Sequence, residues 1–331
     1  MTQVSSAGPA TGEFTGRTEP FRRELLVHCY RMLGSLDDAE DVVQETYLRA
    51  WRAYGGFEGR SSVRTWLYQI ATNACLSALT HRGRRVLPSG LGAPSDDPYA
   101  PPELTGTEVS WLQPLPDSWL DPEAEDPAAI VTAREGLRLA MIACLQFVPA
   151  RQRAVLILRD VLAWPAAEVA ELLGITTAAV KSMLQRARAR LEEVSPAADQ
   201  VVEPTAPEAL AVLDAYLAAF ERSDAKALER LLHEDATLEA SPARTWFAGR
   251  ATCAPFLAAQ AMGVPGDWRM VATRANGQPA AVVYRLAADG VHRAFGIAVL
   301  TTTATEIVRI VLFGDPALVA RFGFPEEPPP A

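Results

Sequence analysis

The sequence predicts a multidomain chain with two all-helical units, the second ending in a helix-turn-helix, followed by an α+β unit. Three observations predict it. Trp164 to Val194 breaks into two apolar-periodic segments around Gly174: Val169, Leu172 and Leu173 share a face of the first, and Val180, Leu184, Ala187 and Leu191 repeat at helical spacing in the second. Helical periodicity also runs through 20–87 and 131–194, but stops in 88–130, which holds nine acids, no Lys or Arg and many prolines. Beyond Val194, two helical segments give way to alternating, strand-like runs punctuated by Asn-Gly and Asp-Gly turns. Helices first and an antiparallel sheet last is an α+β arrangement.

Charge follows the same divisions. The net −9 of the 331 residues resolves into +2 over 1–87, −9 over 88–130, +3 over 131–194 and −5 over 195–331. The two helical units are therefore mildly basic, as a nucleic-acid binder requires, and the acid sits in the connector and the last unit. No run approaches roughly 18 uninterrupted apolar residues, and the start MTQVSSAGPATGEF has no apolar signal core, so the chain is read as cytoplasmic with no membrane partner. Cys29, Cys75, Cys144 and Cys253 stand singly without CxxC spacing, the pattern of reduced, buried thiols. His28 and Cys29 are helix neighbours pointing about 100° apart, so no metal site and no cofactor is expected.

Taken in order, residues 1–19 are rich in Ser, Thr, Gly and Pro and read as disordered. The first helical unit, 20–87, has a helix in which Val43, Tyr47, Ala50 or Trp51, and Tyr54 form the inner face. Asp38, Asp41, Gln44, Glu45 and Leu48 are left outside, which taken alone is a solvated charged face. A glycine-bearing loop, Tyr54 to Arg60, leads to Ser61 or Ser62 as the cap of a helix carrying Arg64, Trp66, Tyr68 and Asn73. Rings interleaved with Arg suit a melted strand, whose bases stack while guanidinium groups hold phosphate. The competing reading makes Trp66 and Leu67 plain core, and for those two it is preferred. Basic residues from His81 to Arg85 close the unit. Within the connector, SWLQPLPDSWLDP is too apolar for a spacer, and Trp111 and Trp119 are read as anchors on another domain of the chain.

The second helical unit, 131–194, runs Val131 to Phe147, breaks at Pro149, resumes from Arg151 to Leu162 and ends in the helix-turn-helix. Pro165 fits a first helical position, Gly174 a C-terminal stop and Thr176 an N-cap. The last helix carries Lys181, Arg186, Arg188 and Arg190 with no acid between Gly174 and Leu191. Thr177, Ala178, Lys181 and Ser182 would face base edges in a major groove; a helix pair with a solvated basic face is the plainer alternative. After a linker at 195–206, the unit 207–320 is expected as helices at Leu210 to Arg222, Ala225 to Leu232 and Thr252 to Met262, a strand at ATLEA, and the strand-like runs, with 321–331 as a tail.

DAEDVVQETYLRAW (Asp38 to Trp51), FEGRSSVRTWLYQIATNACL (Phe57 to Leu76) and the helix-turn-helix stand in one order, and with them residues 20–194 resemble the extracytoplasmic-function (ECF) sigma factors of bacterial RNA polymerase. The resemblance implies sigma region 2 for 20–87, sigma region 4 for 131–194, and as partners core RNA polymerase, through its β′ and β subunits, and promoter DNA. By residue, it places Asp38, Asp41, Gln44, Glu45 and Leu48 on a β′ coiled coil, and Phe57 and Asn73 around a flipped base of the minus-ten element, with Arg60 and Arg64 on phosphate. Thr176, Thr177, Ala178, Lys181, Ser182, Gln185, Arg186 and Arg188 would meet the upstream duplex element. Pro165 stands where relatives usually carry a capping Ser or Thr. With alanine at 178 and 179, specificity leans on Lys181, Ser182 and duplex shape.

The last unit resembles the cone-shaped fold of SnoaL-type polyketide cyclases and nuclear transport factor 2, through AAFERSDAKALERLLHEDATLEA and TWFAGR. His233, Trp246, Tyr284 and His292 are its possible pocket residues, with Asp235, Arg244 and Asp315 of suitable chemistry nearby in sequence. Catalysis, ligand sensing and a regulatory domain docking on the sigma regions are all open; the last leads, and no catalytic residue is assigned. The expectation is a transcription initiation factor and not an enzyme. The alternative is a cyclase or isomerase, or a ligand sensor, fused to DNA-binding helices.

Overall fold

The computed structural model describes residues 11–81, 83–120, 137–194 and 207–329. The chain divides into two compact units: one of residues 1–84, 119–136 and Cys144–Val194, the other of Arg85–Ser118, Leu137–Ala143 and 195–331.

The first unit is helical. Helices α1 (Thr11–Thr18), α2 (Arg22–Leu33), α3 (Leu36–Ala53) and α4 (Val63–His81) make its first half. Gly34 ends α2 in the left-handed conformation (φ 70°), and the Ser35 hydroxyl accepts the Asp38 amide to cap α3. Ser62 is the cap of α4, its hydroxyl accepting the Thr65 amide at 3.0 Å. Leu25, Cys29, Met32, Leu36, Leu67, Tyr68, Ala71 and Cys75 are fully buried between these helices. Helix α1 was expected to be disordered. Its glycines and threonines are poor helix formers, and eight residues are too few to stand alone. Phe14 holds it instead, buried with its ring edge-on to Tyr47, Trp51 and Tyr54. Residues 1–10 lie outside the described residues.

The second half is reached through α5 (Leu139–Leu145), of which Leu139–Ala143 belong to the second unit; its expected beginning near Val131 lies outside the described residues. Then come α6 (Ala150–Leu156), prolonged by a π turn at Ile157–Val161, α7 (Ala166–Leu173) and α8 (Thr177–Val194). The helix-turn-helix forms as read: Gly174 is left-handed (φ 64°), the Thr176 hydroxyl accepts the Ala179 amide, and Val169, Leu172, Val180 and Ala187 are buried.

The second unit is α+β. Strands β1 (Leu232–Ser241), β2 (Trp246–Ala248), β3 (Trp268–Ala275), β4 (Gln278–Leu286), β5 (His292–Thr302) and β6 (Ile307–Phe313) form one sheet in the order β2-β1-β6-β5-β4-β3. Helices α9 (Pro207–Glu221), α10 (Ala225–Leu231), α11 (Arg250–Phe256) and α12 (Pro316–Arg321) complete it. The sheet is not wholly antiparallel. Four hairpin-linked strands, β3 to β6, bring the chain back beside β1 in the same direction, so β1 and β6 pair parallel, with Leu238 opposite Ile310. His233 and Asp235, where polar residues after the second helix are expected to form a turn, lie in β1; β2 falls within TWFAGR, and α12 had no distinct sequence signal. Asn276 and Gly277, with φ of 56° and 65°, turn β3 into β4, which is the backbone that an Asn-Gly pair favours. Val212, Tyr216, Phe220, Phe247, Phe256, Met262 and Met270 pack into one apolar core with the sheet.

Residues 86–118, which include most of the linker expected at 88–130, pack as a strap on this unit. Leu112 and Leu115 are fully buried, each removing roughly 1.5–3 kcal/mol worth of apolar surface from water. Trp111 and Trp119 are half-buried, while Leu112 and Leu115 are the side chains of this stretch wholly removed from solvent. Among the described residues no helix is long and apolar enough to cross a membrane.

Candidate nucleic-acid interface

Helix α8 presents its polar side chains openly. Thr176, Thr177, Ala178, Lys181, Ser182, Gln185, Arg186 and Arg188 are all exposed, because Val180 and Ala187 turn the opposite face into the core. Arg188 is tied to the π turn, its guanidinium donating to both oxygens of Asp160 at 2.7 and 2.8 Å. An exposed pair of this kind contributes little stability and gives way readily to phosphate.

The residues of α4 and its preceding loop are arranged differently. Asn73 is exposed, as is Arg60, which lies 3.3 Å from Glu58. Phe57 is half-buried, with its ring 4.7 Å from Trp66 and stacked at 6.5 Å on Tyr54. Tyr68 is fully buried and so unavailable to stack on a base. Arg64 is engaged within the protein: its Nε and Nη2 donate to the Glu24 carboxylate at 2.9 to 3.0 Å. Its guanidinium also lies over the rings of Tyr68 (5.1 Å) and Trp164 (5.6 Å). Trp164, between α6 and α7, is itself buried with its ring 5.0 Å from Tyr68.

Arg153 on α6 ties the two helical halves together. It donates to the Met32 carbonyl at the end of α2, to the Gln146 side-chain and backbone oxygens at 2.7 and 3.1 Å, and to the Val148 carbonyl at 3.1 Å. Burial pulls its pKa down to about 10, so it stays cationic at neutral pH. His28 on α2 bonds Thr72 of α4 through Nε2 at 2.9 Å. Burial, and then the charge of Arg31, lower its pKa to about 3, so the imidazole is neutral.

On α3, Asp41, Gln44 and Leu48 are exposed and Glu45 is half-exposed, bonded to Arg49 at 2.7 Å. Asp38 departs from the expected outer face. It sits buried in the first turn, where its amide bonds the Ser35 cap.

In the second unit the strap is clasped by the β3–β4 turn. The Asn276 amide and Oδ1 bond the Leu115 carbonyl and amide, each at 2.8 Å, and its Nδ2 donates to the Leu137 carbonyl at 2.8 Å. Gly277 donates to Asp117 at 2.8 Å, and the Leu139 amide, opening α5, donates to Gln278 Oε1 at 2.8 Å. Sequence reading found this turn but not what its side chains hold, since their partners lie 139 to 161 residues away.

The four possible pocket residues do not converge. Trp246 donates its indole N–H to the Gly92 carbonyl of the strap. Tyr284 is fully buried and its hydroxyl donates to the Pro325 carbonyl. His233 Nδ1 accepts the Asp235 amide, while His292 Nε2 bonds the Gly266 carbonyl at 2.9 Å. Arg244 pairs with Glu103 of the strap at 3.6 Å, and Asp315 caps α12.

Comparison with known proteins matches three family models to these parts: Sigma-70 region 2 at residues 19–85, Sigma-70 region 4 at 138–191 and a SnoaL-like domain at 213–311. The chain is 52% identical over 318 residues to the ECF RNA polymerase sigma factor SigG of Mycobacterium tuberculosis, covering 95% of this chain and 85% of that protein. It is 32% identical over 219 residues to SigJ of the same organism, covering 66% of this chain and 62% of that one. The crystal structure of M. tuberculosis SigJ superposes with a TM-score of 0.58 at 24% identity, over 96% of this chain and all of that one, which makes the architecture the same.

Proposed function

The chain belongs to the ECF sigma factors, transcription initiation factors that act with RNA polymerase on promoter DNA, and on that premise we propose how its surfaces divide the work. Helix α8 enters the major groove of the upstream element: Lys181, Arg186 and Arg188 take phosphate, and Thr177, Ala178, Ser182 and Gln185 meet base edges. Asp41, Gln44, Glu45 and Leu48 form the face of α3 that docks on the polymerase β′ subunit. Phe57 and Asn73 capture a base of the melted minus-ten element, with Arg60 and Arg64 on the flanking phosphates.

The observation that carries this reading is the pairing of an exposed cationic helix, α8, with a ring-bearing loop that runs to the exposed Asn73 of α4. Its test is run-off transcription with core polymerase. The full chain should confer promoter-specific initiation. Asp41→Arg with Glu45→Arg should weaken holoenzyme assembly with the fold intact, and Asn73→Ala should leave assembly unchanged but lower open-complex yield. Assembly indifferent to the α3 reversals would remove the docking assignment.

The described conformation is a resting one, in that Arg64 is committed to Glu24 and to the Tyr68 and Trp164 rings. The SnoaL-like domain regulates and does not catalyse. Its apolar core and the scatter of its candidate polar groups support that reading, and the Asn276 clasp supplies its handle on the connector. Asn276→Ala should change transcription output while duplex binding through α8 persists; identical output would leave the clasp with a folding role alone.

A further inference from the structure

We propose that Phe14 is a positioning residue for the base-capture loop, acting through a stack of rings that ends at Phe57. The inference rests on the assignment of Phe57 to base capture.

Phe14 is buried at 6% exposure on a helix whose other described side chains, Thr18 apart, face solvent. Its ring meets Trp51 and Tyr54 edge-on, both at 5.2 Å, and Tyr47 at 6.4 Å. Tyr54 continues the series, stacked on Phe57, and Phe57 packs at 4.7 Å on Trp66 of α4. The Tyr54 hydroxyl is held from the same helix, accepting from Arg17 at 3.1 Å, and the Tyr47 hydroxyl donates to the Thr18 carbonyl at 2.8 Å. The contacts from α1 that lead to the loop thus run through rings and ring hydroxyls.

The loop itself supplies little placement. Gly55 and Gly56, between Tyr54 and Phe57, have open space where a Cβ would stand, and neither has positive φ. Neither a close approach nor a left-handed turn requires glycine there, and one 3-10 turn, closed by the Phe57 amide donating to the Tyr54 carbonyl at 3.0 Å, ties the Phe57 backbone to Tyr54 without fixing its ring. What sets the Phe57 ring is therefore its two ring neighbours. One of them, Trp66, is on the rigid α4; the other, Tyr54, is braced by α1. A base lifted from the stack needs a ring already in place, since ordering a mobile one on arrival would consume part of the stacking energy.

The test compares holoenzymes carrying the full chain as Phe14→Ala, Phe14→Leu and Phe57→Ala on a promoter with 2-aminopurine beside the captured base. Stacking of one base is worth ten- to a hundredfold. Phe57→Ala should lose that range in open-complex lifetime and in the fluorescence rise. Phe14→Ala should lose about tenfold, with Phe14→Leu recovering most of it because leucine refills the cage, while holoenzyme assembly and binding of the upstream duplex stay as in the parent. Open complexes of unchanged lifetime in Phe14→Ala overturn the proposal, and so does a loss shared equally by assembly, duplex binding and opening, which would mark a folding role only. An effect of Phe14→Ala with none from Phe57→Ala overturns the proposal through its premise, since the base-capture assignment itself would have failed.

Discussion

Helices α4 and α8 both carry the cations expected to meet DNA, yet the protein treats them in opposite ways. Those of α8 stand in solvent, Arg188 and Arg190 being held only by the surface carboxylates of Asp160 and Glu193. On α4, Arg64 is folded inward against Glu24, Tyr68 and the Trp164 ring. The difference matches the order of events in initiation. Intact duplex is available from the first encounter, so a surface for it profits from being permanently presented and from steering at long range. A melted strand exists only after opening, so its site loses nothing by being closed at rest.

The largest expected effect concerns the tie that holds these helices in one unit. Arg153→Met removes the donor from two oxygens of Gln146 and from the Met32 and Val148 carbonyls. At about 1–3 kcal/mol for each buried acceptor left unpaired, unfolding stability should drop by at least 3 kcal/mol. An unchanged denaturant midpoint would show that Arg153 is no tie. Next comes a pH effect through α4. His28 has a folded pKa of about 3 against an ordinary 6.5, so between those values the unfolded chain takes a proton that the folded one refuses. Stability is therefore full above pH 6.5 and falls as the pH drops towards 3, by about 2 kcal/mol at pH 5. His28→Gln should flatten this dependence in urea titrations; an equal slope in the variant would place its origin elsewhere.

The comparison sharpens further on DNA. Lys181→Ala with Arg186→Ala should lower the salt dependence of upstream-duplex binding by about 2 in log–log slope, because each removes one of the proposed phosphate contacts. The same pair should leave binding of a single-stranded minus-ten oligonucleotide untouched. The smallest effect has the opposite sign. Trp164→Leu keeps an apolar side chain but releases the cation–π hold on Arg64, worth about 1 kcal/mol, so affinity for that oligonucleotide should rise about fivefold. A weaker or equal affinity would mean that Arg64 is not held in reserve.

Much of the architecture was legible because its signals are local. Gly174, Thr176 and the apolar stripe through Val180 and Ala187 announce the helix-turn-helix within some twenty residues, and Asn276-Gly277 announces its hairpin. What escaped depends on partners distant in sequence. Phe14, with Arg17 and Thr18 beside it, orders α1 by reaching rings about thirty residues or more further on, and nothing in its own glycine- and threonine-rich segment predicts a helix. Asp38 has the periodicity of an outer residue, but the Ser35 cap draws the first turn of α3 inward. Arg64 reads as a free cation until Glu24, forty residues earlier, is found beside it. The connector shows the same limit: its tryptophans dominate the eye, whereas the side chains it buries completely include Leu112 and Leu115. The parallel pairing of β1 with β6 follows from the whole path of the chain between them, which no short window contains.

The Asn276 side chain holds Leu115 with one end and Leu137 with the other. Twenty-two residue steps separate those two points, a contour of roughly 70 Å if drawn out. Held on one side chain, those two points cannot part unless the Asn276 amide releases one of them.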